Sequence, residues 1–120
     1  MHLPPCPDRP NCVSSEAKKA MHRMEPWTLK VSRAEFVKVL KDTLSLWPRT
    51  KVESEDGQRI KLTVKTRLLR FTDDVEIFVD EGKKLVHFRS ASRLGYSDLG
   101  VNRKRMESLQ QDLKKRQVIA

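Results

Sequence analysis

Long apolar runs are missing from this 120-residue sequence, since none approaches the roughly 18 residues that a membrane-spanning helix needs. The basic and apolar regions that make up a secretory signal peptide are missing as well. Hydrophobic residues make up only 38% of the chain, and charged residues make up 34%. The length predicts one domain with a single modest core, which a few well-patterned segments must supply. The composition excludes transmembrane, collagenous and wholly disordered chains.

Recognised catalytic signatures are also missing, because the sequence has no P-loop, no dinucleotide fingerprint and no nucleophile elbow. His22 and His87 have no recognisable Ser or Cys nucleophile motif nearby. Asp73 and Asp74 are adjacent, and adjacent residues of a strand point to opposite faces, which disfavours a shared proton. Asp98 could support acid–base chemistry, so an enzyme stays open as an alternative. The sequence favours a non-catalytic protein with no cofactor and no metal site.

Aromatic residues amount to only 6% of the chain. Phe78 is the one aromatic residue that the strand pattern places on the exposed face of a sheet, where nucleic-acid bases could stack. No RNA-recognition or zinc-finger pattern is present. The sequence therefore argues against sequence-specific nucleic-acid binding.

Positive charge is in excess, with 25 Lys and Arg against 16 Asp and Glu and a net charge of +9. Residues 83–105 carry two-thirds of this excess, with Asp98 as their single acidic residue. A basic balance is typical of proteins that bind nucleic acid, an anionic membrane surface or small anions. The alternative is that these cations pair with nearby carboxylates or lie in solvent.

Two helices are predicted from apolar residues at helical spacing. Ser32 and Glu35 form a capping box at the start of the first helix, which should end at Trp47. The second helix should begin at Asn102, as its N-cap. Its buried stripe should consist of Met106, Leu109 and Leu113.

Alternating apolar and polar residues predict the strands. These lie over residues 27–31, 51–55, 58–68, 75–79 and 86–89. The predicted fold class is α+β, a single two-layer domain with an antiparallel sheet of about four to five strands packed by two main helices.

The beginning of the chain is rich in proline. Pro4, Pro5, Pro7 and Pro10 predict an extended or turn-rich arm, and a short helix could run from Ser14 to Met24. We therefore expect residues 1–26 to form a Pro-rich arm with a short helix, packed on an α+β domain over residues 27–116. Residues 117–120 should form a frayed tail.

Cys6 and Cys12 are the two cysteines of the chain. A disulfide between them would close a small loop in an oxidising compartment, and two free thiols are the main alternative. Their spacing is neither a redox motif nor a recognised zinc spacing. His2 and His22 could complete a metal set only if the fold brought them together, so metal binding and redox catalysis are less favoured.

The segment that joins the last strand to the last helix departs from the structural pattern. Ser90 and Ser92 put polar groups on the buried strand face, and Arg103 and Arg105 lie in the first helical turn, where the helix dipole is already positive. Cations at this end of a helix are therefore unfavourable, and an anion bound there would make the arrangement favourable. We therefore predict an electropositive ligand site at this junction. Its candidate residues are Arg67, Arg89, Ser90, Ser92, Arg93, Tyr96, Asp98, Asn102, Arg103 and Arg105.

Three blocks of the sequence resemble one protein family. They span residues 3–15, 68–76 and 89–103, and they are similar to the signature blocks of the bacterial and plastid proteins grouped as domain of unknown function 1499. The resemblance implies no activity, because that of the family is unassigned. It puts forward as candidates Cys6, Asn11, Cys12, Arg67, Asp73, Asp74, Arg89, Ser90, Ser92, Arg93, Tyr96, Asp98, Asn102 and Arg103.

The resemblance also bears on localisation. Relatives often carry a hydrophobic or lipoprotein-like segment before the first block, whereas this sequence begins almost directly at that block. The sequence as it stands indicates a cytoplasmic protein. An exported or membrane-anchored protein is indicated if the chain is part of a longer, exported one.

The function predicted from the sequence is that of a small basic domain that binds an anionic ligand or partner without catalysis. Its partner would be an anionic small molecule or an acidic protein. One alternative is a hydrolase or transferase that acts on an anionic substrate, with Asp98 or Asp73 as its base. The other is a scaffold that docks an acidic protein or a membrane surface.

Overall fold

The computed structural model describes residues 2–120. Their alternating apolar residues and helical stripes form eight helices and strands. In chain order they are β1 (Cys12–Ser14), β2 (Trp27–Thr28), α1 (Arg33–Leu44), β3 (Thr50–Asp56), β4 (Arg59–Lys65), β5 (Thr72–Asp80), β6 (Leu85–Ser92) and α2 (Val101–Lys115). The six strands form one antiparallel sheet. The predicted α+β class is confirmed, with six strands in place of four to five.

The centre of the sheet is an antiparallel meander of β4, β5 and β6. Ile60, Ile77 and Phe88 are register partners across these strands, and all three are fully buried. Gly57, with φ +43°, supplies the left-handed backbone of the tight turn between β3 and β4. The predicted buried face of the meander is therefore confirmed.

Both helices contribute to the single core beneath this apolar face. The Ser32 hydroxyl accepts the Glu35 N–H at 3.1 Å, which is one half of the predicted capping box. The stripe of α2 consists of Met106, Leu109 and Leu113, all fully buried, and each such side chain contributes about 1.5–3 kcal/mol to folding. α1 ends at Leu44, earlier than predicted.

The N-terminal region adds two short strands to the sheet. β1 and β2 pair with successive parts of β6, with Cys12 opposite Ala91 and Trp27 opposite Val86. The prediction of a short helix over residues 14–24 is wrong, because this segment turns back on itself. The Ser14 N–H donates to the His22 carbonyl at 2.8 Å, a sequence separation that no helix provides.

The C-terminal tail closes the core. Val118 and Ile119 are each only 2% exposed, and Ile119 forms a bridge to Leu29. The Ala120 N–H donates to the Thr28 carbonyl at 2.9 Å. The prediction that residues 117–120 fray is therefore wrong, because two apolar side chains after the helix complete the core.

The second face of the sheet is partly covered by the beginning of the chain. His2 stacks on Phe78 with ring centroids 4.0 Å apart, and its carbonyl accepts from the Arg59 guanidinium at 2.6 Å. The Arg89 guanidinium donates to the Pro5 carbonyl at 3.3 Å. These contacts hold residues 2–5 against the polar face.

The β4 strand ends earlier than its alternation predicts. The Thr66 N–H donates to the Phe71 carbonyl at 2.8 Å, and the Phe71 N–H donates to the Thr66 hydroxyl at 2.9 Å. Arg70, with φ +55°, completes this closed loop. The predicted strand over residues 58–68 is therefore too long, and Arg67 lies in the loop.

β3 forms the edge of the sheet opposite to β1. All of its residues after Thr50 are exposed, and its register with β4 shifts between Val52 and Ser54. The strand therefore carries a bulge at the outer edge.

Candidate functional site

A buried polar network joins β5, β6 and α2. The Arg105 guanidinium donates to the Asp73 carboxylate at 2.7 Å and to the Asn102 side-chain oxygen at 2.7 Å. The Ser90 hydroxyl donates to that same oxygen at 2.6 Å. The Arg105 side chain is 9% exposed and that of Asp73 is 1% exposed. The charges of the pair are therefore removed from solvent and compensate each other.

The network continues into the loop that precedes α2. The Asn102 amide group donates to the Ser92 hydroxyl at 2.9 Å and to the Asp98 carboxylate at 2.6 Å. The same carboxylate accepts the backbone N–H groups of Gly100 and Asn102. Asp98 therefore satisfies two of the free donors at the start of the helix. The N-cap is Gly100, so the prediction of Asn102 as N-cap is wrong. The negative charge of Asp98 offsets the cations of the first turn.

The arginines outside the network contact other groups: Arg103 contacts the N-terminal region, whereas Arg89 and Arg93 line one cavity on the second face of the sheet. Arg103 donates to the carbonyls of Met21 and Arg23, at 3.3 and 3.2 Å. Arg93 forms two hydrogen bonds with the Asp74 carboxylate, at 2.7 and 2.9 Å, and these bonds raise the pKa of Arg93.

Arg89 lies on the second face of the sheet, beneath Pro5. Burial lowers the pKa of Arg89, and the nearby Glu76 and Asp74 carboxylates oppose that shift. Its Nε atom is buried without a hydrogen-bond partner among residues 2–120.

The ten residues predicted for the ligand site are therefore not brought together in one pocket. The network contains Ser90, Ser92, Asp98, Asn102 and Arg105, whereas Arg89, Arg93 and Arg103 lie elsewhere. Arg67 and Tyr96 are exposed in the loops at residues 66–71 and 93–100. The serines that suggested ligand contacts instead bond to the side chain of a helix residue.

A second arrangement of cations, which we call the basic cleft, lies between the end of α1, the end of β4 and the start of α2. Its volume is about 430 Å³, and no acidic residue among residues 2–120 lines it. Its apolar lining consists of Trp47, Pro48, Val64 and Val101. Its cationic lining consists of Arg49, Lys65, Arg67, Lys104 and Arg105.

The five cations of the cleft differ in what they already contact. Arg105 is paired with Asp73, and Arg49 donates to the Lys65 carbonyl at 3.1 Å. Lys65, Arg67 and Lys104 make no salt bridge with any residue that the structure describes. These three side chains therefore present positive charge to one volume without a direct ionic partner, and Lys104 also borders a neighbouring cavity that Glu107 and Asp112 line.

No local pattern predicted that Trp47, Arg49 and Lys65 share a cleft, and Lys104 was not among the candidate residues. A signal was present in the basic segment 65–70. Its proximity to residues 47–49 and to the helix start depends on long-range packing, which no local pattern reports.

The N-terminal region contains a smaller cavity of about 340 Å³. Cys6, which lines it, forms a disulfide with Cys12, with Cα atoms 5.7 Å apart. His22 also lines it, and its Nδ1 lies 2.9 Å from the Cys12 carbonyl oxygen. His2 lies against Phe78, and residues 2–120 contain no cluster of three or more His, Cys, Asp or Glu side chains suited to a metal ion.

A Ser–His contact was also missed. The Ser15 hydroxyl lies 3.1 Å from His87 Nδ1, and burial lowers the pKa of His87. The same oxygen accepts the Phe88 N–H at 2.9 Å, and Ser15 is only 2% exposed. A buried hydroxyl with these partners is not accessible to a substrate, so the contact is structural.

A family model described as a protein of unknown function (DUF1499) matches residues 2–113. Neither the curated proteins nor the solved structures give a match. Within the part of the chain that the structure describes, no helix is long and apolar enough to cross a membrane.

Proposed function

The chain belongs to the DUF1499 family, whose activity is unassigned, and we propose that it is a non-catalytic module that binds an anionic ligand in the basic cleft. The observation that carries this proposal is the set of Lys65, Arg67 and Lys104, which line one cleft and make no salt bridge among residues 2–120. Side chains of like charge repel one another, so an anion between them would relieve that repulsion.

The chemistry of the cleft favours a phosphate-type anion. The planar guanidinium of Arg67 can donate two parallel hydrogen bonds to oxygens of one group, and the ammonium groups of Lys65 and Lys104 add point charges. Charge-assisted hydrogen bonds of this kind contribute about 1.5–3 kcal/mol each. The apolar lining at Trp47 and Val101 would contact a less polar part of the ligand.

The carboxylates considered as catalytic bases are already engaged. Asp73 accepts from Arg105 inside the core, and Asp98 accepts from Asn102 and from backbone N–H groups. A general base must reach the proton that it removes. These engagements support binding over hydrolysis or group transfer.

Titration with inorganic pyrophosphate at constant ionic strength tests the proposal. We expect binding by calorimetry and chemical-shift changes confined to residues of the cleft. The variant R67Q/K104Q should lose at least about tenfold in affinity, because two charge-assisted contacts are removed.

A matched control removes two exposed lysines away from the cleft, in the variant K30Q/K38Q. Its net charge equals that of the cleft variant, and its affinity should stay close to that of the unaltered protein. Equal losses in both variants would mean that only overall charge matters, and the proposal would be wrong.

A further inference from the structure

Six large apolar side chains stand exposed in the two loops at residues 66–71 and 93–100. Leu68 and Leu99 are 88% and 87% exposed, and exposed apolar side chains that cluster together are typical of interaction sites. We call this set the apolar tip, and it consists of Leu68, Leu69, Phe71, Leu94, Tyr96 and Leu99.

Both loops leave the sheet at the same end. Lys65 and Thr72 are register partners at the ends of the first loop. The Arg93 N–H, at the start of the second loop, donates to the Thr72 carbonyl at 3.1 Å. The apolar side chains of the two loops therefore form one end of the molecule.

The charges without an ionic partner at this end, among the residues that the structure describes, are positive. Arg67 and Arg70 lie within the first loop, and Arg67 also lines the basic cleft. Asp74 is neutralised by Arg93, and Asp98 accepts hydrogen bonds from the start of α2. Exposed apolar groups are thus adjacent to uncompensated cations.

We propose that the apolar tip inserts into the interfacial region of an anionic lipid bilayer, with the phosphate of a lipid headgroup bound in the basic cleft. This inference rests on the proposed function, because it names the source of the anion. Leucines that project from two loops can insert among the acyl chains of a bilayer. The arginines beside them can contact the anionic headgroups. Tyr96 adds a side chain typical of the membrane–water interface.

An acidic protein is the other partner that the charges would fit. Leu68, Leu69 and Leu99 are 88%, 71% and 87% exposed, so they project from the surface of the protein. The bilayer accounts for both the leucines and the cations, whereas an acidic surface accounts for the cations alone.

Vesicle co-sedimentation tests the inference. Vesicles of phosphatidylcholine with an equal part of phosphatidylglycerol should bind the protein, and vesicles of phosphatidylcholine alone should bind it much less. The variant L68S/L69S should bind the anionic vesicles at least about tenfold more weakly, because two inserted leucines are lost.

Two controls separate a general effect from a local one. V52S changes an exposed apolar residue on β3 and should leave vesicle binding unchanged. L68S/L69S should still bind inorganic pyrophosphate as the unaltered protein does, and L99S provides a second tip variant if the first unfolds.

The outcomes distinguish this inference from the proposed function. Binding of pyrophosphate without binding of anionic vesicles would overturn the inference and leave the anion site standing. Vesicle binding that L68S/L69S and L99S leave unchanged would overturn insertion of the tip. Binding of soluble polyglutamate in preference to anionic vesicles would assign the surface to an acidic protein. Binding of neither pyrophosphate nor vesicles would overturn both proposals.

Discussion

At the scale of single residues, Arg105 shows how position decides the role of a charge. Its guanidinium reaches back from α2 to Asp73 in the core, whereas Lys104 beside it lines the basic cleft without an ionic partner among the described residues. The buried pair is stabilising only while both partners are present, because either charge alone would remain desolvated.

This pairing predicts unequal effects of substitution at two adjacent aspartates. D73N should lower the free energy of unfolding by about 3–5 kcal/mol, since it leaves the Arg105 charge buried without compensation. D74N breaks the partly exposed pair with Arg93 and should cost no more than about 1 kcal/mol. Urea unfolding of both variants measures the difference, and equal effects would contradict the buried pair.

At the scale of elements, β1 depends on contacts outside its own three residues. Cys12 within the strand is joined to Cys6, and Ser14 pairs with Arg89 of β6. A strand this short has little stability of its own. The disulfide therefore helps to keep the first residues of the chain on the sheet.

Removal of the disulfide should loosen this element. The variant C6S/C12S should lose about 2 kcal/mol of unfolding free energy, the loop-closure value for a loop of this length. Thermal unfolding with and without reductant measures the effect. Reductant should lower the Tm of the unaltered protein and leave that of the variant unchanged. If complete reduction left the Tm of the unaltered protein unchanged, the disulfide would make no contribution to stability.

At the scale of the whole molecule, the residues after α2 complete the hydrophobic core. Ile119 packs in the same core as the helices and bridges to Leu29. I119A should therefore cost about 2–5 kcal/mol, as for other large-to-small core substitutions. K115A, on the exposed side of α2, should change the unfolding free energy by less than about 0.5 kcal/mol. Denaturant unfolding measures both variants. If I119A and K115A changed the unfolding free energy equally, the tail would not be part of the core.

The sequence predicted those parts of the fold that depend on local periodicity. The core stripe of α2 and the buried face of the β4–β5–β6 meander each repeat over several residues, so their pattern survives in isolation. β1 and the residues after α2 are too short for such a pattern, and their positions depend on pairing with distant segments. The predicted strand over residues 27–31 is present as the shorter β2.

The candidate site was predicted less completely for the same reason. Ser90 and Ser92 were correctly placed on the buried strand face, but Asn102, which bonds to both, was interpreted as the N-cap of α2 and not as a buried residue of its first turn. Arg67 was placed by extending strand alternation past Lys65, where loop closure at Thr66 ends it.

The bulged outer strand β3 has a consequence for behaviour at high concentration. Its exposed residues include Lys51, Glu53 and Glu55, and the shifted register after Val52 interrupts a straight row of backbone groups. Charges and bulges at a free edge oppose strand addition by another molecule. The protein should therefore resist fibril formation through this edge, even when many copies are crowded together.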